Sequence, residues 1–440
     1  MSYLTRTGVS SSNGGQHNTV SLWFKRNNNL ENGADYIFGA EVDGSNYTWL
    51  RTENQKLEYI SATGGAVKFK LLTTAVFRDP SAWYHVVLRS STTSGTSSNR
   101  IRMYINGSQV TQFDTATYPD QNYFSYLCDN NTNMYVGRSS GPFGGLVADV
   151  NLLDGEDQAA SKFGETDSTT GIWKPKPDFT GINYGNNGFR LQFENSGNMG
   201  LDTSGEGHNF TNSSVPTNAQ STDTPSNSFC TWNRVAANNN LGTVYDGGLR
   251  IEEASSNAWR SILGTLSVSQ GKWYWEFKVG PTGDNQYFIM GATRTDVAYN
   301  SYVATNNQGP FRAGGGYGMQ RDGTKINNNS SAAYGSAMSS NSIIGCKLDL
   351  DNGTIGFIQG GSDLGNAYTG LTTGDDIFYT PFASIGQADN GEDARLEINT
   401  GNPVFTDTAN NADANGLGKF VNSVPSGYYA LCTKNIQSLG

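Results

Sequence analysis

Along residues 17–28, HNTVSLWFKRNN, apolar and polar positions alternate: Val20, Leu22 and Phe24 fall on one face of an extended chain, Ser21, Trp23 and Lys25 on the other. The same period of two recurs in 36–42, 47–53, 56–62, 81–91, 100–110, 133–140 and 145–155, punctuated by DGSN, ENQ and NG turn signals. In MYINGSQV the pair Asn106-Gly107 is the strongest hairpin signal, because both positions tolerate the positive φ of a type I′ turn. No segment sustains a helical period. Many short alternating runs joined by small polar loops predict packed antiparallel sheets. A charged fraction of 15%, below the ~25% usual in soluble domains, would also suit a disordered chain. Aromatics at 12%, placed inside the alternating runs, argue for folding, since disordered chains lack such residues.

Length and charge narrow the classes further. At 440 residues, and ~100–200 residues per domain, two or three domains are expected. A net charge of −10 opposes nucleic-acid binding, which needs a basic face, and binding to an anionic membrane surface. No run approaches the ~20 apolar residues of a membrane span, and MSYLTRTGVSSS lacks a signal-peptide core. Synthesis in the cytoplasm is therefore expected, with exit by lysis or inside an assembled particle. Cys128, Cys230, Cys346 and Cys432 lie far apart without a CxxC pair, and only His17, His85 and His208 could join them around zinc. Reduced, buried thiols are the expected state; a Cys230–Cys432 bridge stays open, since both should lie near the ends of one domain.

Five motifs of the first 155 residues occur in a telling order: Trp23-Phe24-Lys25, Trp83-Tyr84-His85-Val86, Tyr104-Ile105-Asn106-Gly107, Tyr135-Val136-Gly137, and Phe143-Gly144-Gly145 through Asp149-Val150. This succession resembles the laminin G-like, pentraxin-type jelly roll of the concanavalin superfamily. Residues 156–186, rich in Pro, Gly, Thr and Lys, read as a connector with one helical turn. The strand GFRLQFE and the acidic turn DTSGEG, within 187–212, are expected to complete the first sandwich, because a similar turn in that family follows a first strand. Residues 213–228 read as a polar linker.

From Phe229 to 436 a second set of strands follows: 247–253, 271–280, 286–294, 315–323, 343–361 and 377–386, with an Asp351-Asn352-Gly353 hairpin turn. Gly271 through Glu276 (GKWYWE), the hairpin from Gly345 to Phe357 with Asp349, Gly353 and Ile355 in register, and the strand opening at Pro381 resemble the SPRY domain. The fold expected is all-β, two concanavalin-like β-sandwich jelly rolls in series.

Chemistry is sparse. Some concanavalin-like sandwiches cleave glycans with two carboxylates ~5–5.5 Å apart. The E-x-D-x-x-E pattern that would supply them is absent, and Glu252-Glu253 are adjacent and so point to opposite faces. His85, inside a strand, reads as structural. No phosphate-cradling, dinucleotide or HExxH motif occurs, so no catalytic residue is assigned and no cofactor is expected. Calcium is the one ion with candidate ligands, Asp202 with Glu206 and Asp43 with Asn46, although turn-making is the favoured role of such Asx residues. Aromatic faces that stack on sugar C–H groups make Trp49, Tyr118, Tyr123 and Phe124 the ligand candidates of the first domain, and Tyr299, Tyr302 and Phe311 those of the second. Trp83, Trp273 and Trp275 read as packing residues.

The YLTRT opening, the TGIW, YGNNGF and DTSGEGHNF segments, DTPSNSF and the VPSGYYALCTKNI ending resemble jelly-roll–SPRY structural proteins of marine bacteriophages. That resemblance implies a non-enzymatic virion protein exposed on the particle, of tail-fibre or appendage type, binding a host-surface glycan or protein. A capsid-decoration or appendage subunit that contacts only virion neighbours is the alternative, and a polysaccharide depolymerase a third. It implies other virion proteins as partners and a homo-oligomer, with a trimer expected on a symmetric particle, while the charge and hydropathy above oppose nucleic-acid binding and membrane insertion.

Overall fold

The computed structural model describes residues 3–439 except 9–14, 27–32, 130, 139–140, 142, 217–218, 238–240, 242–243, 254–258, 281–286, 298–308, 313 and 387–393. Two compact units divide the chain, residues 1–78, 82–220 and 224–226 forming one, and 79–81, 221–223 and 227–440 the other. Each is a β-sandwich.

The first unit pairs an eight-stranded sheet with a six-stranded one. The larger runs in the order Phe113–Thr117, Ala66–Val76, Lys56–Thr63, Asn46–Glu53, Ala34–Asp43, Asn133–Val136, Tyr3–Thr7 and Thr211–Ser213. The smaller runs Phe189–Leu191, Gly145–Asp154, His17–Arg26, Trp83–Ser91, Ile101–Ile105 and Ser108–Gln109. Val20, Leu22, Phe24, Val86, Leu88, Leu50, Tyr59, Phe69 and Leu71 meet in the core. The sandwich closes late in sequence: Leu191 pairs with Val150, and Thr211–Ser213 extends the large sheet against Tyr3–Thr5. Asn106 (φ 47°) and Gly107 (φ 80°) form the left-handed pair of the NG hairpin.

Residues 156–186 differ from a plain connector. They fold over the outer face of the six-stranded sheet, with a 3₁₀ turn at Ala160–Lys162 and a two-stranded hairpin, Gly164–Thr166 with Trp173–Pro175. Ala160, Phe163 and Tyr184 pack there on Val87 and Leu153. Asp157 anchors the segment by accepting from Arg89 Nε at 2.6 Å and Arg102 Nη2 at 2.7 Å. This cover explains why Ser21 and Trp23, read as the polar or outer face of their strand, are as buried as Val20 and Leu22.

In the second unit one sheet runs Trp232–Ala237, Arg260–Gly264, Tyr379–Gly386, Tyr287–Arg294, Gly316–Gln320, Lys325–Asn327 and Ser330–Ala332. The other runs Val244–Tyr245, Arg250–Glu253, Ala394–Asn399, Lys272–Val279, Ile343–Asp349, Thr354–Gln359 and Ser362–Thr369, and Tyr429–Ala430 pairs in parallel with Lys272–Val279. Trp273, Trp275, Phe277, Ile344, Cys346, Leu348, Ile355 and Phe357 fill its core. A short helix, Thr433–Leu439, follows, unannounced by any helical period. All four cysteines are free and buried, so Cys230 and Cys432 carry no bridge.

Candidate recognition surfaces

One end of the first sandwich is built by the 118–128 segment. Tyr123 turns its ring edge-on to Phe69 in the core and sets its hydroxyl 2.8 Å from Ser61 Oγ. The Tyr126 hydroxyl lies 3.1 Å from both Asn46 Oδ1 and Thr63 Oγ1, tying the turn after Ala34–Asp43 to the turn after Lys56–Thr63. Asn46 Oδ1 also accepts the Gly64 N–H at 2.9 Å. The backbone is fastened from the other side: Ser125 N–H donates to Gly15 O (3.0 Å), and the Thr92 hydroxyl donates to Tyr123 O (2.8 Å). On this frame Phe124 stands 55% exposed above Gly15, where an added Cβ would meet its Cδ1 at 2.5 Å. Tyr118 is half-buried against the same core. Beside them, the His17 ring faces Thr93 Oγ1 at 3.2 Å and Ser91 Oγ at 3.4 Å.

The other candidates fare differently. Trp49 is 1% exposed, which corrects its reading as an exposed ligand residue. Its ring lies over Gly39, whose missing Cβ leaves the room, and meets Tyr36 edge-on at 4.9 Å and Tyr135 at 5.8 Å. The Arg138 guanidinium, 5.3 Å from its ring centroid and bonded to Glu41, closes the cluster from above. Phe311 is 2% exposed, packed with Leu263, Ile289, Ile326 and Phe382 and edge-on to Trp259, so it too is a core residue and not a ligand group. Tyr299 and Tyr302 lie outside the described residues. Trp273 and Trp275 are fully buried, whereas Trp83 is partly exposed.

Asp202 is occupied as a turn-maker. Its Oδ1 accepts from the N–H of Arg190 and Ser204 (both 2.9 Å), and its Oδ2 accepts from Ser204 Oγ–H (2.9 Å) and His208 N–H (2.7 Å). Burial works to raise its pKa, but these donors outweigh it and hold the carboxyl below its ordinary value. Glu206 is exposed on the same turn. Asp43 likewise accepts from Ser45 N–H (2.8 Å) and Asn46 Nδ2 (2.9 Å). Among the described residues no group of three or more His, Cys, Asp or Glu side chains is placed to hold a metal ion. The donors already on Asp202 and Asp43 are those of Asx turns.

Glu276 and the partners of His85, itself read as structural, escaped the sequence reading. His85 is stacked on Trp23 at 4.6 Å and, on its other side, faces Trp173 at 6.0 Å. The Trp173 indole N–H donates to His85 Nδ1 at 3.0 Å, so the imidazole carries its proton on Nε2 and donates it to Ser21 Oγ at 2.8 Å. Burial pushes its pKa down to about 3. In the second unit Glu276 is fully buried and accepts from Asn422 N–H (2.7 Å), Val421 N–H (3.0 Å), Asn422 Nδ2 and Asn399 Nδ2 (both 3.0 Å) and the Tyr274 hydroxyl (3.1 Å). Burial nevertheless raises its pKa. It staples the chain at 421–422 to the central strand. A missed exposed aromatic, Tyr287 (55% exposed), sits next to Trp259; strict alternation with inward-facing Phe288 would have found it.

Residues 2–160 match the family model described as the concanavalin A-like lectin/glucanases superfamily, and residues 272–398 match the SPRY domain model. The chain thus carries a laminin G-like, concanavalin-like domain and a SPRY domain, two sandwiches in series. Among curated relatives, the ATP-dependent RNA helicase Ddx1 of Drosophila melanogaster is 31% identical over 130 residues, 29% of this chain and 16% of that protein. The probable ATP-dependent RNA helicase ddx1 of Dictyostelium discoideum is 28% identical over 117 residues, 27% of this chain and 14% of that protein. The chain therefore spans about one-sixth of the length of these relatives, in their SPRY-like region. Similar solved structures include the SPRY domain of human HERC1, at 18% identity over 38% of this chain and 96% of that one, TM-score 0.30. Stonustoxin is another, at 14% identity over 39% of this chain and 27% of that one, TM-score 0.28.

Proposed function

We propose that this protein is a non-enzymatic recognition subunit of a bacteriophage particle, of tail-fibre or appendage type. It binds a host-surface glycan or protein through the loop end of its first sandwich. The observation that carries this reading is the rim formed by Phe124, Tyr123 and Tyr118 beside Asn46, Thr63 and Thr93. An exposed aromatic ring there is held rigidly on backbone hydrogen bonds and flanked by amides and hydroxyls, the pairing that sugars and polar protein loops require. Laminin G-like and SPRY modules serve generally in protein or glycan binding, which supports the same reading. The particle assignment rests on the resemblance of the chain's opening, middle and closing segments to phage structural proteins.

Two measurements test it. The purified protein is applied to a glycan array and used to compete with phage adsorption to host cells, beside a Phe124→Ala variant. Binding that the variant loses is the expected result; no array signal together with undiminished adsorption of particles lacking the protein overturns the recognition claim. Mass spectrometry of purified virions that finds no peptide of this chain overturns the particle claim.

A further inference from the structure

We infer that the first unit holds a second ligand site, a cleft for a neutral saccharide lined by Phe193, Glu194, Ser196, Asn198, Leu201 and Thr203; this rests on the recognition reading above and extends it to a separate surface. The cleft has a volume of about 410 Å³, inside the range of small-ligand sites. Strand register separates it from the Phe124 rim. Asn18 pairs with Asp154 and donates to Ser125 Oγ at the rim end. From there the pairing runs back through Leu152–Phe189 to Val150–Leu191, and Phe193 lies two residues further from the rim.

The walls are fixed before any ligand arrives. Gln220 Nε2 donates to the carbonyls of both Phe193 and Glu194 at 2.8 Å, joining residues 26 or more apart in sequence. Gly197 N–H donates to Asn195 Oδ1 (2.9 Å), Leu201 N–H to Asn198 O (3.1 Å) and Thr203 N–H to Arg190 O (2.8 Å). Phe193 itself is left-handed, φ 59°, a conformation that a bulky side chain adopts only when its surroundings impose it. Its ring is partly buried against the core.

The lining selects the class of ligand. Phe193 and Leu201 are the apolar members, too few for a lipid or a greasy side chain but suited to the C–H face of one or two sugar rings. Among the described residues no cation lines the cleft, and Glu194 repels phosphate or carboxylate, which disfavours an anionic ligand. The Glu194 carboxylate, Ser196 hydroxyl and Asn198 carboxamide are exposed, and none of the three side chains makes a hydrogen bond among the described residues, which leaves them open to ligand hydroxyls.

Amide-resolved NMR titration of the full-length protein with glucose, galactose, mannose, N-acetylglucosamine and maltose tests the site. Saturable shifts confined to 193–203, weakened at least about tenfold by Asn198→Ala but unchanged by Phe124→Ala, are the expected result. Asn198 is exposed and holds the turn only through its backbone, so its truncation leaves the fold intact. Shifts at the 118–126 rim alone, abolished by Phe124→Ala, overturn the cleft and leave the recognition reading standing. No shift with any of the five sugars also overturns it, and the array and adsorption measurements then judge the rim separately.

Discussion

Replacing His85 with phenylalanine should remove much of the acid sensitivity of the first sandwich, and the size of the effect follows from the stack. In the folded chain His85 is enclosed by Trp23 and Trp173, with Nδ1 accepting from an indole N–H that has no other role to play. A proton on Nδ1 would set two donors against each other, in a place closed to bulk solvent. Burial therefore holds the imidazole near a pKa of about 3, against 6.5 for a free side chain. The folded value is the depressed one, so the unfolded chain binds more protons between the two. The stability tied to neutral His85 is intact above the unfolded pKa and drains away as pH falls toward the folded one. At ~1.36 kcal/mol per pH unit, going from about pH 8 to about pH 4.5 removes roughly 2.7 kcal/mol.

His85→Phe keeps a ring between the two tryptophans but leaves Trp173 Nε1 and Ser21 Oγ unpartnered, at ~1–3 kcal/mol each. The wild type should thus be more stable near neutrality, and that advantage should shrink by roughly 2.7 kcal/mol by about pH 4.5. Asp35, raised to about 6 by burial beside Arg26, works in the opposite sense, its strain easing as it protonates. Both proteins share it, so it cancels in the difference. Urea unfolding read by pulsed hydrogen exchange in peptides covering 17–26, 83–91 and 160–184 assigns the transition to this sandwich. Stability curves of the two proteins that run parallel from about pH 8 to about pH 4.5 would refute the buried-imidazole argument.

Other consequences are simpler to read. Trp173→Ala, which uncovers His85 and strips contacts above Gly107 and Gly164, should cost about 3–5 kcal/mol in the same unfolding assay. Glu276→Ala leaves the amides of Val421 and Asn422 without their acceptor, and should destabilise the second sandwich by about 1–3 kcal/mol for each unpaired amide and speed exchange at those amides. Phe124→Ala, an exposed position, should change stability by no more than about 0.5 kcal/mol while abolishing binding at the loop rim, as circular dichroism melting and competition with phage adsorption together report. A thiol reagent should find no reactive cysteine in the native protein and all four in denaturant without reductant; fewer than four would reveal a bridge.

What the residue order made legible was everything governed by a two-residue period. Val20, Leu22 and Phe24 point inward as their alternation demands, and Trp273, Trp275 and Phe277 do so in the second sandwich. What it hid was the far side of each strand, since alternation says that Ser21, Trp23 and His85 share a face but not what covers it. Only the fold brings the 156–186 segment there, and its compositional bias toward Pro, Gly and Thr masks the few anchors, Phe163, Trp173 and Tyr184, that do the covering. The same blindness misplaced Trp49 and Phe311. A tryptophan on the outer face of a sheet reads as exposed until one sees that Gly39, on the neighbouring strand, gives it a floor, and that Tyr36, Tyr135 and Arg138 give it walls. Cross-strand neighbours are set by register, and register depends on turns and bulges scattered across the chain, such as the slip between Tyr36 and Phe38. Among the described residues the exposed aromatics include Phe124, in the loop between Phe113–Thr117 and Asn133–Val136, Tyr245 and Tyr287, at strand ends, and Phe378, just before the strand Tyr379–Gly386. In a sandwich protein, exposure of an aromatic is therefore argued best from its distance to a strand end, and least well from the polarity of its sequence neighbours.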